Sequence, residues 1–593
     1  MSSAAPASNI TITVDGRELS VPAGARLIDA LDAHGLRVPR LCYHAALSVA
    51  GNCRLCLVET GAPAKDATGG VLRNADGSPQ IRWSPKPSAA CATTVSPGLH
   101  VRLDSPLARD CRAGTLEFLL ANHPLDCPIC DKAGECDLQN FAAANGRRCS
   151  RYSETKLHKP KNLRTLGPRL VYDAERCVLC GRCVRFCAEI LKKPVLSFIK
   201  RGAKAEISTA AGHPLDSNYS LNTVDLCPVG ALTDAAFRFQ MRVWFLRKTP
   251  SICVESSTGV NTWVWHREGK ILRITPRRND AVNGCWMTDS GRARHLRIHA
   301  PDRTEEYLRN GLNIGMQRAV SAVQGALTDA AARGKLAVVL SSFLTVEEML
   351  VLRKLLNNLG GNALKKKVFL PARTGEADGF LLTADRTPNT AGAWLTGLFD
   401  RKPETKREKR EKLTKILAAG DADTVLLFRE NIIKDTETGQ KNTELEEILK
   451  KNKTRVIYFT THTDDMALLA DIVLPALTVF EKSGSYVNSR ARLQKFEQVI
   501  APVGNTPIAT ELEVLARVAG EDALTTPDAV WQRAASDESF TTPEFRAAFA
   551  TGNAATGGDA GADAGGKIPC CIAEIPANGL QLNGADWLKN DHK

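Results

Sequence analysis

The chain has 593 residues, 78 Lys and Arg against 65 Asp and Glu, and a formal net charge of +13. Hydrophobic residues make up 43% and charged residues 24%. This is ordinary globular composition and excludes a wholly disordered, collagen-like or membrane-spanning chain; the length suits about three to five domains. Cysteine is the unusual component. Of 18, fourteen lie from Cys42 to Cys227 and none lies between Cys285 and Cys570.

In chain order, Ile10–Val14 alternates polar and apolar residues, Asp15-Gly16 follows, and Glu18–Val21 returns. This predicts a hairpin with a type I′ turn. Leu27, Ile28, Leu31 and Leu36 recur near helical spacing, and Gly35 suits the helix end. The Pro, Gly and Ala-rich stretch from Gly61 to Pro87 reads as a surface insertion, and cysteine loops then run to about residue 250. A short helix is predicted to begin at Ala231-Leu232-Thr233.

Beyond that the pattern changes. Apolar runs at Leu336–Leu340, Phe380–Leu382, Thr424–Phe428 and Arg455–Phe459 read as strands, and Val346–Leu359 as a helix ending at Gly360-Gly361. Strands alternating with helices predict a mainly parallel α/β domain. The stretch Thr551–Gly566 reads as a disordered Gly/Ala/Asp linker.

Met1–Asn9 has no basic or apolar signal region. In a reducing compartment, clustered cysteines read as metal ligands. The most apolar stretch, Met466–Phe480, is broken by Asp471 and Pro475, so no membrane span is expected. The basic run Arg401–Lys415 carries eight cations against three Glu, and aromatic residues are only 6%. It reads as a solvated face, and nucleic-acid binding is not expected.

Three cysteine groups carry the chemistry. Cys42, Cys53, Cys56 and Cys91 can hold a 2Fe–2S cluster or a zinc ion. Their spacing departs from the plant-type ferredoxin pattern, while the preceding ββα unit favours the ferredoxin reading. His123, Cys127, Cys130 and Cys136 lie within fourteen residues, stiffened by Pro124 and Pro128, and Cys₃His zinc is the direct rival there. Cys177, Cys180 and Cys183 are spaced by two-residue gaps, with Cys227-Pro228 as the remote fourth ligand. Zinc sites usually split into separated pairs, so this group favours iron–sulfur. Cys187 is left over and reads as a buried thiol; Cys111, Cys149, Cys253, Cys285, Cys570 and Cys571 lack partners at convincing spacing.

The segments His123–Gln139, Cys177–Phe186 and Leu226–Leu232, in this order, closely resemble the large iron–sulfur subunits of NADH:quinone oxidoreductase, respiratory complex I. The resemblance is strong over about residues 9–290. A weaker likeness to the molybdopterin-oxidoreductase fold continues through Asp471–Ala476 and Glu481–Asn488. It implies an α+β ferredoxin-like N-terminal part, with a β-grasp 2Fe–2S domain at 1–98, a His/Cys₃ 4Fe–4S segment at 99–160 and a 4Fe–4S ferredoxin-like domain at 161–248. A degenerate 4Fe–4S segment at 249–310, an α/β molybdopterin-oxidoreductase-like scaffold at 311–550 and a flexible tail at 551–593 would follow.

The resemblance assigns a 2Fe–2S cluster to Cys42, Cys53, Cys56 and Cys91, a 4Fe–4S cluster to His123, Cys127, Cys130 and Cys136, and a second to Cys177, Cys180, Cys183 and Cys227. The His-ligated cluster is expected nearer the surface. The implied role is electron relay from a flavin towards quinone. Implied partners are the flavin/NADH-binding subunit, its 2Fe–2S partner and a ferredoxin-like subunit leading to the quinone site, on the cytoplasmic side of the membrane.

Two departures matter. Some bacterial members carry an extra 4Fe–4S site. Here Cys253 matches its first position, Ser256, Val260 and Thr288 occupy the others, and Cys285 is three residues early. That cluster is expected to be absent. Active molybdenum or tungsten enzymes usually offer a Cys or selenocysteine to the metal, and the second half has none, so no molybdopterin is expected. With no Gly-x-Gly-x-x-Gly fingerprint, NADH and flavin would bind elsewhere. The rivals are a formate-dehydrogenase-like catalytic subunit and a zinc-stabilised interaction module.

Overall fold

The computed structural model describes residues 8–159, 164–400, 402–434, 441–504, 507–550 and 568–583. The expected linker Thr551–Gly566 lies outside them. The chain divides into two compact units, Met1–Leu246 and Arg247–Lys593.

The first unit opens with strands Asn9–Val14 and Arg17–Pro22, paired antiparallel across Asp15-Gly16. Both turn residues have positive φ, 46° and 80°, as a type I′ turn requires. His100–Arg102 joins the first strand in parallel, and Leu57–Pro63 and Ile81–Trp83 extend the sheet. The helix Leu27–Ala33 buries Leu27, Ile28, Ala30 and Leu31 against Ile12, Val14, Val58 and Val101. The stretch expected as an insertion is anchored at both ends by the pairing of Gly61–Pro63 with Ile81–Trp83, and its middle is exposed.

One expectation fails here. Leu232–Asp234 is a strand, paired antiparallel with Leu170–Tyr172, and not the start of a helix. Pairing with an existing strand satisfies its backbone groups while Leu232 and Thr233 are buried.

The second unit begins with three antiparallel strands, Arg247–Ile252, Asn261–Arg267 and Lys270–Pro276. Its main sheet places Val368–Phe369, Leu336–Val339, Thr424–Phe428, Arg455–Thr460 and Ile472–Pro475 side by side in parallel. Successive residues serve opposite faces. Val338, Leu426, Ile457 and Phe459 join one core with the helices Gly315–Ala332 and Val346–Leu359. Ala337, Val425, Val456 and Tyr458 join the other, with Lys406–Ala418 and Thr443–Lys451. Both faces are covered, so these strands read as unbroken apolar runs.

Phe380–Leu382 is not a strand. The Asp378 carboxylate accepts the amide N–H of Phe380, Leu381 and Leu382 at 2.8–3.0 Å, which removes those donors from any ladder. The tail also departs from expectation: Leu580–Gln581 pairs with Arg492–Phe496, and Ile575 and Leu582 are buried in the core. Residues 568–583 are thus held by packed apolar side chains.

Candidate metal centres

The first unit contains all three predicted ligand groups. Cys42, Cys53, Cys56 and Cys91 are all buried. The loop bends through left-handed backbone at Gly51 (φ 63°) and Arg54 (φ 56°), and the Leu41 N–H donates to Cys53 Sγ at 3.4 Å. Cys91 is 35 residues beyond Cys56, yet Ser88–Ala89 pairs with Leu57–Val58 and Ala90 N–H donates to Cys56 O at 2.9 Å. The thiols pair as Cys42 with Cys53 and Cys56 with Cys91. Donation from Cys42 lowers Cys53 to about 5, and donation from Cys91 lowers Cys56 to about 7, while the two donors are raised.

The second group follows the helix Pro106–Ala121. Cys127 opens a single 3₁₀ turn and is exposed, while Cys130 and Cys136 are buried. Arg176 Nη2 holds Asp126 at 2.5 Å, and Arg242 donates to the carbonyl oxygens of Cys130 and Pro128. Burial pushes His123 down to about 4 against the pull of Asp126, so its imidazole is neutral at pH 7 and has a lone pair to offer. At Gly134 (φ 85°) a Cβ would come within 2.6 Å of the Trp244 ring, so only glycine fits.

In the third group Leu179 (φ 53°) and Gly181 (φ 70°) curl the backbone around the thiols. Cys227 caps the helix Asn222–Leu226. Burial raises Cys180 to about 12, with Arg182 pulling it down, and raises Cys183 well above the ordinary thiol range. Thiols held so high become thiolates only when a cation compensates them, which fits a metal cluster. Cys187 is buried and raised to about 12 by desolvation.

The groups are wired to one another. A Cβ on Gly230 would sit 2.3 Å from Cys130 Sγ, so the turn after Cys227 runs directly against the second group. Asp137 N–H donates to Pro228 O at 2.9 Å. Arg182 and Arg185 reach from the third loop to carbonyl oxygens of the first. Ligand spacing carries no information on the packing of Gly230 or the reach of these arginines; their signal was their place inside the cysteine motifs.

Among the described residues, only Cys570, Cys571 and Glu574 bring three donor atoms within 4.8 Å of one another. There Cys570 Sγ donates to Glu574 Oε1 at 2.7 Å, on the surface. None of the three predicted groups brings three ligand atoms within 4.8 Å of one another among the described residues.

In the second unit the fourth-cluster positions are filled differently. Cys253, Ser256, Val260 and Thr288 are buried, and the Thr288 and Ser290 hydroxyls donate to the Glu255 carboxylate. The motif Glu481–Asn488 is used internally. Arg303 pairs with Glu481 at 2.8 Å, Lys482 pairs with Glu348 at 2.6 Å and Glu511 at 3.2 Å, and Asn488 donates to Thr258 O at 3.1 Å.

Comparison with known families matches this order. Residues 7–106 match a 2Fe-2S iron-sulfur cluster binding domain, and 112–151 the NADH-ubiquinone oxidoreductase-G iron-sulfur binding region. Residues 167–233 match the ferredoxin-like domain of NADH-quinone oxidoreductase subunit 3, and 246–295 an NDSU1/NuoG-like 4Fe-4S domain. Residues 399–507 match molybdopterin oxidoreductase. The class is therefore an iron–sulfur protein with 2Fe–2S and 4Fe–4S binding domains ahead of a molybdopterin-oxidoreductase-type domain.

Curated relatives are similar over part of the chain. The 78 kDa subunit of mitochondrial NADH-ubiquinone oxidoreductase from Neurospora crassa is 42% identical over 48% of this chain and 36% of its own length. The NADH-quinone oxidoreductase G subunit of Streptomyces coelicolor is 38% identical over 58% of this chain and 39% of its own. The 75 kDa subunit of NADH-ubiquinone oxidoreductase from Reclinomonas americana is 36% identical over 62% of this chain and 49% of its own. The chain is homologous to these bacterial and mitochondrial subunits of NADH-quinone oxidoreductase, and the matches span half or less of those relatives.

Proposed function

We propose that this chain is the electron-carrying iron–sulfur subunit in the peripheral arm of an NADH:quinone oxidoreductase, between a flavin-containing NADH-oxidising subunit and quinone. In this reading Cys42, Cys53, Cys56 and Cys91 hold a 2Fe–2S cluster. His123, Cys127, Cys130 and Cys136 hold one 4Fe–4S cluster, and Cys177, Cys180, Cys183 and Cys227 hold another. The observation that carries it is that all twelve side chains lie in one compact unit, with their loops bonded to each other.

Bound clusters supply one-electron uptake and release without making or breaking substrate bonds. The chain's own residues set the conditions. The buried cysteines keep water away, backbone N–H groups such as that of Leu41 donate to sulfur, and neutral His123 offers nitrogen in place of thiolate. The exposed Cys127 keeps the His-containing group near the surface.

The filled Cys253 site supports three clusters rather than four, and the internally paired Glu481–Asn488 motif supports a scaffold without pterin. The partners are the flavin/NADH-binding subunit, its 2Fe–2S companion and the ferredoxin-like subunit leading to quinone. Attachment is peripheral, on the cytoplasmic side; no helix among the described residues is long and apolar enough to cross a membrane.

Iron analysis with low-temperature EPR of the dithionite-reduced protein tests the reading. About ten iron atoms per chain with one binuclear and two cubane signals are expected, against about fourteen for a fourth cluster. A colourless, EPR-silent protein containing zinc would overturn it.

A further inference from the structure

We propose that Arg182 and Arg185 form a cationic bracket that ties the first cysteine loop to the third and sets the reduction potentials of both clusters together. The inference rests on the cluster reading above. Arg182 Nη2 donates to Tyr43 O at 2.8 Å and Nη1 to Leu226 O at 3.1 Å. Tyr43 follows the ligand Cys42, and Leu226 precedes the ligand Cys227. Arg185 Nη2 donates to Cys42 O at 2.5 Å and Cys180 O at 3.3 Å, and its Nη1 donates to Ser48 O. The two arginines are three residues apart in the helical turn Arg182–Arg185, so both leave the same face. Each reaches backbone carbonyls of both ligand groups.

The electrostatics point the same way. Arg182 is 8% exposed and permanently charged, and its hydrogen bonds all go to carbonyl oxygens, with no carboxylate partner among the described residues. Carbonyl dipoles offset only part of the cost of burying that charge. A thiolate-ligated cluster carries net negative charge, and each loop would bring one to this guanidinium. A fixed cation favours the more negative, reduced state of a nearby cluster and raises its potential. Glu189, which accepts from Ser48 N–H at 2.8 Å and offsets part of the Arg185 charge, makes Arg182 the stronger partner.

The bracket residues are positioning residues, so the readout is potential rather than turnover. EPR-monitored redox titration is carried out on the full cluster-loaded chain, wild type against Arg182→Gln and Arg182→Lys. In Arg182→Gln with wild-type iron content, the midpoints of the 2Fe–2S cluster and the third group's cluster both fall, and the His123-ligated cluster moves less. Arg182→Lys, which keeps the charge, recovers most of the shift. Unmoved midpoints at either bracketed cluster, or equal movement of all three, overturn the bracket alone. If Arg182→Gln loses iron, the half-buried Arg185→Gln takes the same test with the same outcomes. A wild-type chain without cluster signals overturns the cluster reading itself.

Discussion

The backbone of Gly230 lies against the thiol of Cys130, so closely that a Cβ there would be 2.3 Å from Sγ. No side chain tolerates that distance, and Lys132 Cβ at 3.2 Å closes the other side. The turn carrying the third group's last proposed ligand is therefore a wall of the second group. Gly230→Ala is expected to displace Cys130 and lower the iron content by about four atoms per chain. The 2Fe–2S EPR signal should persist; retention of all iron would contradict the packing argument.

The ligand assignments have direct consequences. Cys180→Ala should remove the third group's cubane and block electron flow to quinone in the assembled complex, and an assembled variant with normal quinone reduction would refute it. His123→Cys should keep a cluster and change its potential, because thiolate replaces neutral imidazole. An unaltered titration of that cluster would count against His123.

The Cys253 site is expected to be inert. Its thiol is buried and raised to about 12 by desolvation, and the neighbouring Glu255 is engaged by Thr288 and Ser290. Cys253→Ser should leave iron at about ten atoms per chain and every EPR signal in place. Loss of iron would reveal a fourth cluster. Molybdenum or tungsten in the purified protein would likewise refute the pterin-free scaffold.

The charge network of the second unit makes a stability prediction. Lys482, 2% exposed at its side chain, bonds Glu348 and Glu511, and Arg429 also bonds Glu511. Lys482→Met leaves buried carboxylates short of a cation and should cost about 3–5 kcal/mol, read by denaturant unfolding. Burial pushes Glu511 up, but Arg429 and Lys482 outweigh it and bring the carboxyl down to about 2 from an ordinary 4.5. A depressed acid contributes its full stability above its unfolded pKa. That contribution is lost as pH falls from 4.5 to about 2. Glu511→Gln should flatten this part of the stability profile, and an unchanged slope would rule the pair out as its source.

Much of the fold was legible because it follows local rules. Asp15-Gly16 named its turn, Val346–Leu359 its helix, and Leu336–Leu340, Thr424–Phe428 and Arg455–Phe459 their strands. The misreadings were short segments settled by a neighbour. Leu232–Asp234 became a strand because Leu170–Tyr172 was there to pair with, and Phe380–Leu382 did not because the Asp378 carboxylate took its amides. The tail strand Leu580–Gln581 depends on Arg492–Phe496, nearly ninety residues earlier.

The same division runs through the proposed metal centres. Residue types at fixed gaps determined which side chains are candidate ligands, because a cluster accepts only certain donors and a short loop fixes their reach. Which loops stand beside one another was decided by tertiary structure alone. Gly230 against Cys130, Cys91 beside Cys56 and the arginines between the first and third loops join residues 35 to 143 positions apart. Such contacts follow from backbone pairing and burial across the whole unit, which no local spacing encodes.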